Sequence, residues 1–311
     1  MKFKESPLKD AYRLGLWFGV RPSLRALPPG HEFQVFRTMG RQAARLPGAT
    51  RQLVEDNLSR VYPPGEQRDA LVIKAFEEHF STQYVSFTFP RIADHNRDHY
   101  IRLHGVEHLE RAMADGRGAV LAHPHFGCAQ LPHFELAAQG YRMMQIGGGG
   151  KNLRFSRLGQ KVADTRVQLE SLLPAEIVDG QGFMRPVLRH LQGGGALLTA
   201  VDGTGSGDEI GRREIRNVLG QRFLTPVGPV YLAARSRSAL LPLLVIRRKD
   251  GPGFEGFIEP EIPIPAGKLR DQLEWGADLM ALMLDAWLME HPGEWDFWDE
   301  FHDRPGGLLA P

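Results

Sequence analysis

Two imidazoles delivered by the end of an apolar run are the part of this chain best suited to chemistry. In Ala119-Val-Leu-Ala-His123-Pro-His125-Phe-Gly-Cys-Ala-Gln130-Leu-Pro-His133-Phe-Glu135, Gly118 to Ala122 predicts a short buried strand. Pro124 and Gly127 then force a turn that exposes His125, and Pro132 falls in the first turns of the helix that follows, where its missing amide is tolerated. Open α/β sheets bind ligands at such strand ends, and an imidazole titrates in the range that general-base work near neutral pH requires. His125 is therefore the candidate base, with His123 as a supporting or substrate-facing neighbour. Cys128, the only cysteine, invites a nucleophile reading, but a small residue opening a helix reads better as buried packing.

A His followed five positions later by a polar residue, set in a Phe-Gly turn, resembles the His-x4-Asp/Glu signature of the lysophospholipid acyltransferase superfamily. The likeness is closest to its bacterial lipid A late acyltransferase branch, which reads His-Phe-Gly-Asn-Trp-Glu at this point. It continues in order along the chain: Asn57-Leu58 with Pro63, Leu71-x4-Phe76, Gly105-Val-Glu-His-Leu109 and Gly116-Arg-Gly118 precede the motif. Gly194-Gly-Ala-Leu-Leu-Thr-Ala-Val-Asp202, Gly220, Thr225-Pro-Val-Gly-Pro229, Leu232-Ala-Ala-Arg235, Leu241-Pro242 before Arg247, and Pro292-Gly-Glu-Trp-Asp-Phe-Trp298 follow it. One departure matters, because position 130 is Gln where that branch has Glu.

The resemblance implies transfer of a fatty acyl chain from an acyl-carrier-protein or coenzyme A thioester to a hydroxyl or amine of a polar, lipid-like acceptor, without metal or prosthetic group. In the family the acidic partner accepts a hydrogen bond from the far ring nitrogen of the His, fixing its tautomer and stabilising the imidazolium. Gln130 can orient the ring but cannot supply the charge, and an amide turned the wrong way would select the wrong tautomer. Two carboxylates offer compensation. Glu135 is disfavoured, since five helical residues rotate it by about 500°, onto a different face from Gln130. Asp202, at the end of the strand expected beside the first, is the better candidate. The basic residues Arg142, Lys151, Arg154, Arg157, Lys161 and Arg166 are opposed only by Asp164. They lie where the resemblance puts an arginine that contacts the phosphate or polar head of the substrate, a role for which guanidinium is suited. Arg166 is the first choice, with Lys161 and Arg157 as alternatives. The competing reading is a non-catalytic lipid-binding relative that lost the dyad acid; a serine hydrolase is disfavoured because no G-x-S-x-G elbow occurs.

The elements that position these residues follow from periodicity. From about Leu8 to Phe89 the pattern is helical: Leu53, Leu58 and Val61 mark one amphipathic helix, and Leu71, Ala75, Phe76, Phe80, Tyr84 and Phe87 mark another after the Pro63-Pro-Gly65 break. Beyond Gly118, apolar runs at Ala119–Ala122, Tyr141–Ile146, Ala196–Val201 and Ala239–Ile246 alternate with helical patterns. Phe254 to Ile262 alternates as an exposed strand would, and Lys268 to Glu290 closes as a long helix. The expected fold is α/β: a mixed, mainly parallel sheet flanked by helices, as in glycerolipid acyltransferases, within residues 101–311, preceded by a helical region over 1–100.

Composition sets the remaining bounds. A chain of 311 residues with 42% hydrophobic content can bury a full core. A net charge of +1 gives no global field for nucleic acid. A single cysteine excludes an internal disulfide and a cysteine-based zinc site, which fits a reducing compartment. Neither Gly147-Gly-Gly-Gly-Lys151 nor Asp202-Gly-Thr-Gly-Ser-Gly-Asp208 has the spacing of a nucleotide or calcium loop. The run Leu14-Gly-Leu-Trp-Phe-Gly-Val20 stops at Arg21-Pro22, short of the ~20 residues that span a bilayer, whereas members of the lipid A branch usually carry an N-terminal transmembrane helix. Trp17, Phe18 and Leu14 beside Arg13, Arg21 and Arg25 instead predict a reversible contact with an anionic membrane surface. The expected location is cytoplasmic, at the inner face of the inner membrane.

Overall fold

The computed structural model describes residues 7–94, 97–147, 156–172, 174–179, 184–203 and 211–301. Its centre is a seven-stranded sheet. In chain order the strands are β1 (Ile101–His104), β2 (Ala119–His123), β3 (Met143–Gly147), β4 (Ala175–Asp179), β5 (Ala196–Ala200), β8 (Ala239–Arg247) and β9 (Phe254–Ile258), while β6 (Arg213–Val218) and β7 (Gln221–Pro226) form a separate hairpin. The spatial order is β1-β9-β8-β2-β5-β3-β4. Every pairing in it is parallel except β8 with β9, so the sheet is mixed and mainly parallel.

The central strands are continuous apolar runs because helices cover both faces and every position must be buried. All five residues of β2 are buried. The strands expected from sequence at Ala119, Tyr141, Ala196 and Ala239 are β2, β3, β5 and β8, each within a residue or two of its expected bounds. The exposed strand expected over Phe254–Ile262 is shorter and lies inside the sheet: β9 sits between β1 and β8, buried at Phe254, Gly256 and Ile258. Its Glu255 and Phe257 alternate outward because that face is only partly covered.

Three elements fall outside the sequence reading: β1, β4 and the hairpin. The hairpin turns on Leu219 and Gly220, both at positive φ (51° and 71°), the signature of a type I′ turn. Leucine is unfavourable there, and the Asp285 carboxylate compensates by accepting the Leu219 amide at 2.5 Å.

Helices at Glu32–Arg45, Ala49–Ser59 and Glu66–Tyr84 build the N-terminal region, and Leu269–Glu290 closes the chain as one long helix that buries Leu273, Met280 and Leu284. The N-terminal helices do not stand apart. Leu16, Trp17, Phe33, Phe36 and Tyr84 share one apolar cluster with Ile101, Leu121, Leu198 and Leu241 of the sheet. A buried bidentate ion pair ties the same parts together, Arg247 at the end of β8 donating to Glu78 at 2.6 and 2.8 Å.

Candidate active site

The register of β2 against β5 builds the site. These parallel strands pair Ala119 with Ala196 through to His123 with Ala200, and the Val201 amide extends the ladder onto the His123 carbonyl at 2.9 Å. His125 and Asp202 each lie two residues beyond that last pair, so the two chain ends leave the sheet side by side. Gly127, at φ +50°, turns the first of them; a side chain there would meet the Phe254 ring and the Val245 carbonyl at about 3 Å.

His125 Nδ1–H donates to Asp202 Oδ1 at 2.7 Å, and the His125 backbone N–H donates to Asp202 Oδ2 at 2.8 Å. The same oxygen accepts the Trp295 indole N–H at 2.8 Å. The carboxylate is fully buried, while the imidazole is 25% exposed. With Nδ1 acting as the donor, the proton sits on that nitrogen and Nε2 carries the lone pair, which is the tautomer a general base needs.

The neighbouring histidines are different. His123 is buried, donates from Nδ1 to the Pro124 carbonyl at 2.9 Å, and meets His125 edge to face with ring centroids 5.6 Å apart. Burial, then the charge of His125, lowers its pKa to about 4, so it is neutral. His133, buried inside the following helix Leu131–Ala138, is held neutral by burial and then by His123, with a pKa of about 3. Of these three imidazoles, His125 is the one that solvent reaches.

The other residues singled out in the sequence fall as follows. Gln130 directly precedes the helix Leu131–Ala138, half-buried, and among the described residues no hydrogen bond joins its side chain to His125. Glu135 faces elsewhere and binds Arg97 at 2.9 Å. Cys128 is buried, and burial pushes its thiol pKa well up, away from thiolate chemistry. Arg157, Lys161 and Arg166 lie on the helix Arg157–Glu170, which packs against the helix Pro7–Leu14; Ser156, which caps it through the Gly159 amide, also donates to Asp10 at 2.7 Å. Arg166 is engaged with Glu170 at 2.8 Å, and the Lys161 ammonium stands 5.2 Å from the Phe18 ring. Arg157 is exposed and has no ion pair among the described residues. None of the three contacts His125 or Asp202. Lys151, Arg154 and most of the glycine-rich segment after Asp202 lie outside the described residues.

The sequence reading did not anticipate Trp295 and Phe297 as site residues. Phe297 lies over the His125 ring with centroids 4.4 Å apart. Both belong to the closing segment noted above, and nothing in their local spacing indicates that they return to a turn some 170 positions earlier.

The model of the bacterial lipid A biosynthesis acyltransferase family matches residues 1–304. The chain belongs to this family. Among curated relatives of this family member, a phosphatidylinositol mannoside acyltransferase of Mycobacterium tuberculosis is 28% identical over 295 residues, covering 92% of this chain and 85% of the relative. A protein of the same description from Mycolicibacterium smegmatis is 27% identical over 281 residues, covering 88% and 85%. The crystal structure of the 1-acyl-sn-glycerophosphate acyltransferase PlsC from Thermotoga maritima overlies 83% of this chain and 96% of its own, with 9% identity and a TM-score of 0.34. The chain is thus an acyltransferase-family protein that places an aspartate from a second strand against the motif histidine.

Proposed function

We propose that this acyltransferase moves a fatty acyl chain from an acyl-carrier-protein or coenzyme A thioester to a hydroxyl or amine of a polar lipid, with His125 as general base. The observation that carries the proposal is the Nδ1–H bond from solvent-reached His125 to buried Asp202. In the reaction, Nε2 takes the proton of the acceptor hydroxyl or amine as its oxygen or nitrogen attacks the thioester carbonyl carbon. The tetrahedral intermediate collapses with loss of the C–S bond, and the imidazolium returns its proton to the departing thiolate. Asp202 stays ionised and stabilises the imidazolium between these two transfers.

The non-catalytic reading rested on the missing carboxylate at position 130, and it loses force when Asp202 occupies the partner's place. The names of the mycobacterial relatives support a glycosylated phospholipid as acceptor, with a sugar hydroxyl receiving the chain. For an anionic group on either substrate, Arg157 is the first choice of the three basic residues, since Arg166 is already paired with Glu170.

Among the described residues no helix is long and apolar enough to cross a membrane. Work at a membrane surface from the cytoplasmic side would use the N-terminal helices, where Tyr12, Leu14 and Phe18 are exposed with Lys161 beside Phe18. Incubating the purified protein with radiolabelled acyl-coenzyme A or acyl carrier protein and bacterial lipid extract tests the activity. Label should move to a lipid with the native protein and not with His125→Ala; no transfer from any donor would refute the proposal.

A further inference from the structure

The chain segment after the long C-terminal helix runs along the catalytic turn and is bonded to it through the main chain. The Gly127 amide donates to the Glu294 carbonyl and the Asp296 amide to the His125 carbonyl, both at 3.0 Å, with Phe126 and Trp295 bridged as in an antiparallel pair. Trp295 is fully buried. Its ring stands edge to face against Trp298 and Phe301, with centroids 5.1 and 5.6 Å away, which denies it rotation. From that fixed position Nε1–H reaches Asp202 Oδ2 at 2.8 Å.

We propose that Trp295 is a positioning residue that aims the Asp202 carboxylate at His125. The proposal rests on the reading of His125 as base. Asp202 could turn about its carboxylate bond and present either oxygen, or neither, to the imidazole. Two donors on Oδ2, the His125 amide and the Trp295 indole, make that rotation costly because each would lose a charge-assisted bond in a buried setting. Oδ1 is thereby turned toward Nδ1–H, and the tautomer that bares Nε2 is selected. The closing segment supplies both the indole and, through Asp296 and Glu294, the main-chain bonds that fix the turn carrying His125, so the two halves of the dyad are aligned from one piece of chain.

Trp295→Phe removes the N–H and keeps most of the ring. A buried hydrogen bond to a charged group is worth about 10- to 100-fold, so kcat should fall by that factor with KM held within about twofold. Trp298→Phe is the comparison variant: it keeps an aromatic ring against Trp295 and removes an indole N–H that donates to the Pro292 carbonyl at 2.7 Å instead of to Asp202, so its kcat should fall clearly less than that of Trp295→Phe. In an Asp202→Asn background, Trp295→Phe should cost almost nothing further, because its effect runs through the carboxylate. A purely structural role would instead lower activity equally in both backgrounds and in both tryptophan variants. A readout independent of turnover uses the unsubstituted protein: the Trp295 indole N–H resonance should shift as His125 is titrated and cease to do so in Asp202→Asn. An indole resonance indifferent to His125, or multiplicative losses in the double variant, would overturn the proposal. Absence of acyl transfer from the native protein would refute the catalytic reading while leaving this resonance test intact.

Discussion

At the scale of single residues, His125, Asp202 and Gln130 should separate cleanly. His125→Ala should reduce transfer to background, and Asp202→Asn should approach it, because an amide that offers its NH2 group to Nδ1 selects the wrong tautomer, a fault that costs about 10⁴-fold in the serine-protease case. Gln130→Ala should leave kcat within a few-fold, since Gln130 makes no bond to the imidazole. Rates of radiolabel transfer check all three, and a Gln130→Ala loss as deep as that of Asp202→Asn would return the orienting role to position 130. His125 was legible in the sequence because a Pro and a Gly punctuate an apolar run just there. Asp202 was legible as a strand end but only as one candidate, since choosing it over Gln130 needs the register His123 with Ala200, a relation between segments that neither segment carries alone. Trp295 was not legible as a site residue, because its bond to Asp202 spans 93 positions and arises from how the last segment folds back.

At the scale of elements, two charge contacts, one of them buried, hold the helix Glu66–Tyr84 to β8 and to the closing segment, and each makes a prediction. Arg247→Met would leave the buried Glu78 carboxylate without its bidentate partner, a loss of about 3–5 kcal/mol, whereas adding Glu78→Gln should recover most of it; thermal melts of the single and double variants measure this. His79 donates to Asp296 at 3.0 Å. Burial acts to lower its pKa, but Asp296, with Asp299 and Glu300 behind it, outweighs that and raises it to about 9. His79 thus binds its proton more tightly folded than unfolded. Its contribution is full below the unfolded value of about 6.5 and is lost as pH rises through 9. His79→Gln should therefore destabilise most at pH 6 and least near pH 9.5, by an amount reduced because the ring is partly exposed to screening solvent. A variant-to-native difference that does not shrink with pH would reject the ion pair. Strand legibility followed the same physics of burial: β2, β3, β5 and β8 are mostly apolar runs within the sheet, while β1 and the β6–β7 hairpin are half polar, and β1 pairs with a strand distant in sequence.

At the scale of the whole molecule, the N-terminal helices are both a wall of the core and the candidate membrane face, and the structure divides these roles between neighbouring residues. Trp17, expected from sequence to enter the membrane, is instead buried against Phe87 with ring centroids 4.6 Å apart. Its neighbours Leu14 and Phe18 are 54% and 41% exposed. Deleting the first 25 residues would strip Leu16, Trp17 and Leu24 from the shared apolar cluster and would report on folding rather than on membrane contact. The informative change is Leu14→Ser with Phe18→Ser, which leaves the core intact. If these side chains insert, each forfeits on the order of 1–2 kcal/mol of apolar burial, so partitioning onto vesicles containing anionic lipid should fall about 30- to 900-fold in flotation assays with melting temperature unchanged. Salt should weaken the native interaction too, because Lys161, beside Phe18, acts through screened attraction. Flotation of the double variant equal to that of the native protein would place the membrane contact on another face, and transfer to detergent-solubilised acceptor should be unaffected in either case, since neither residue touches the His125–Asp202 pair.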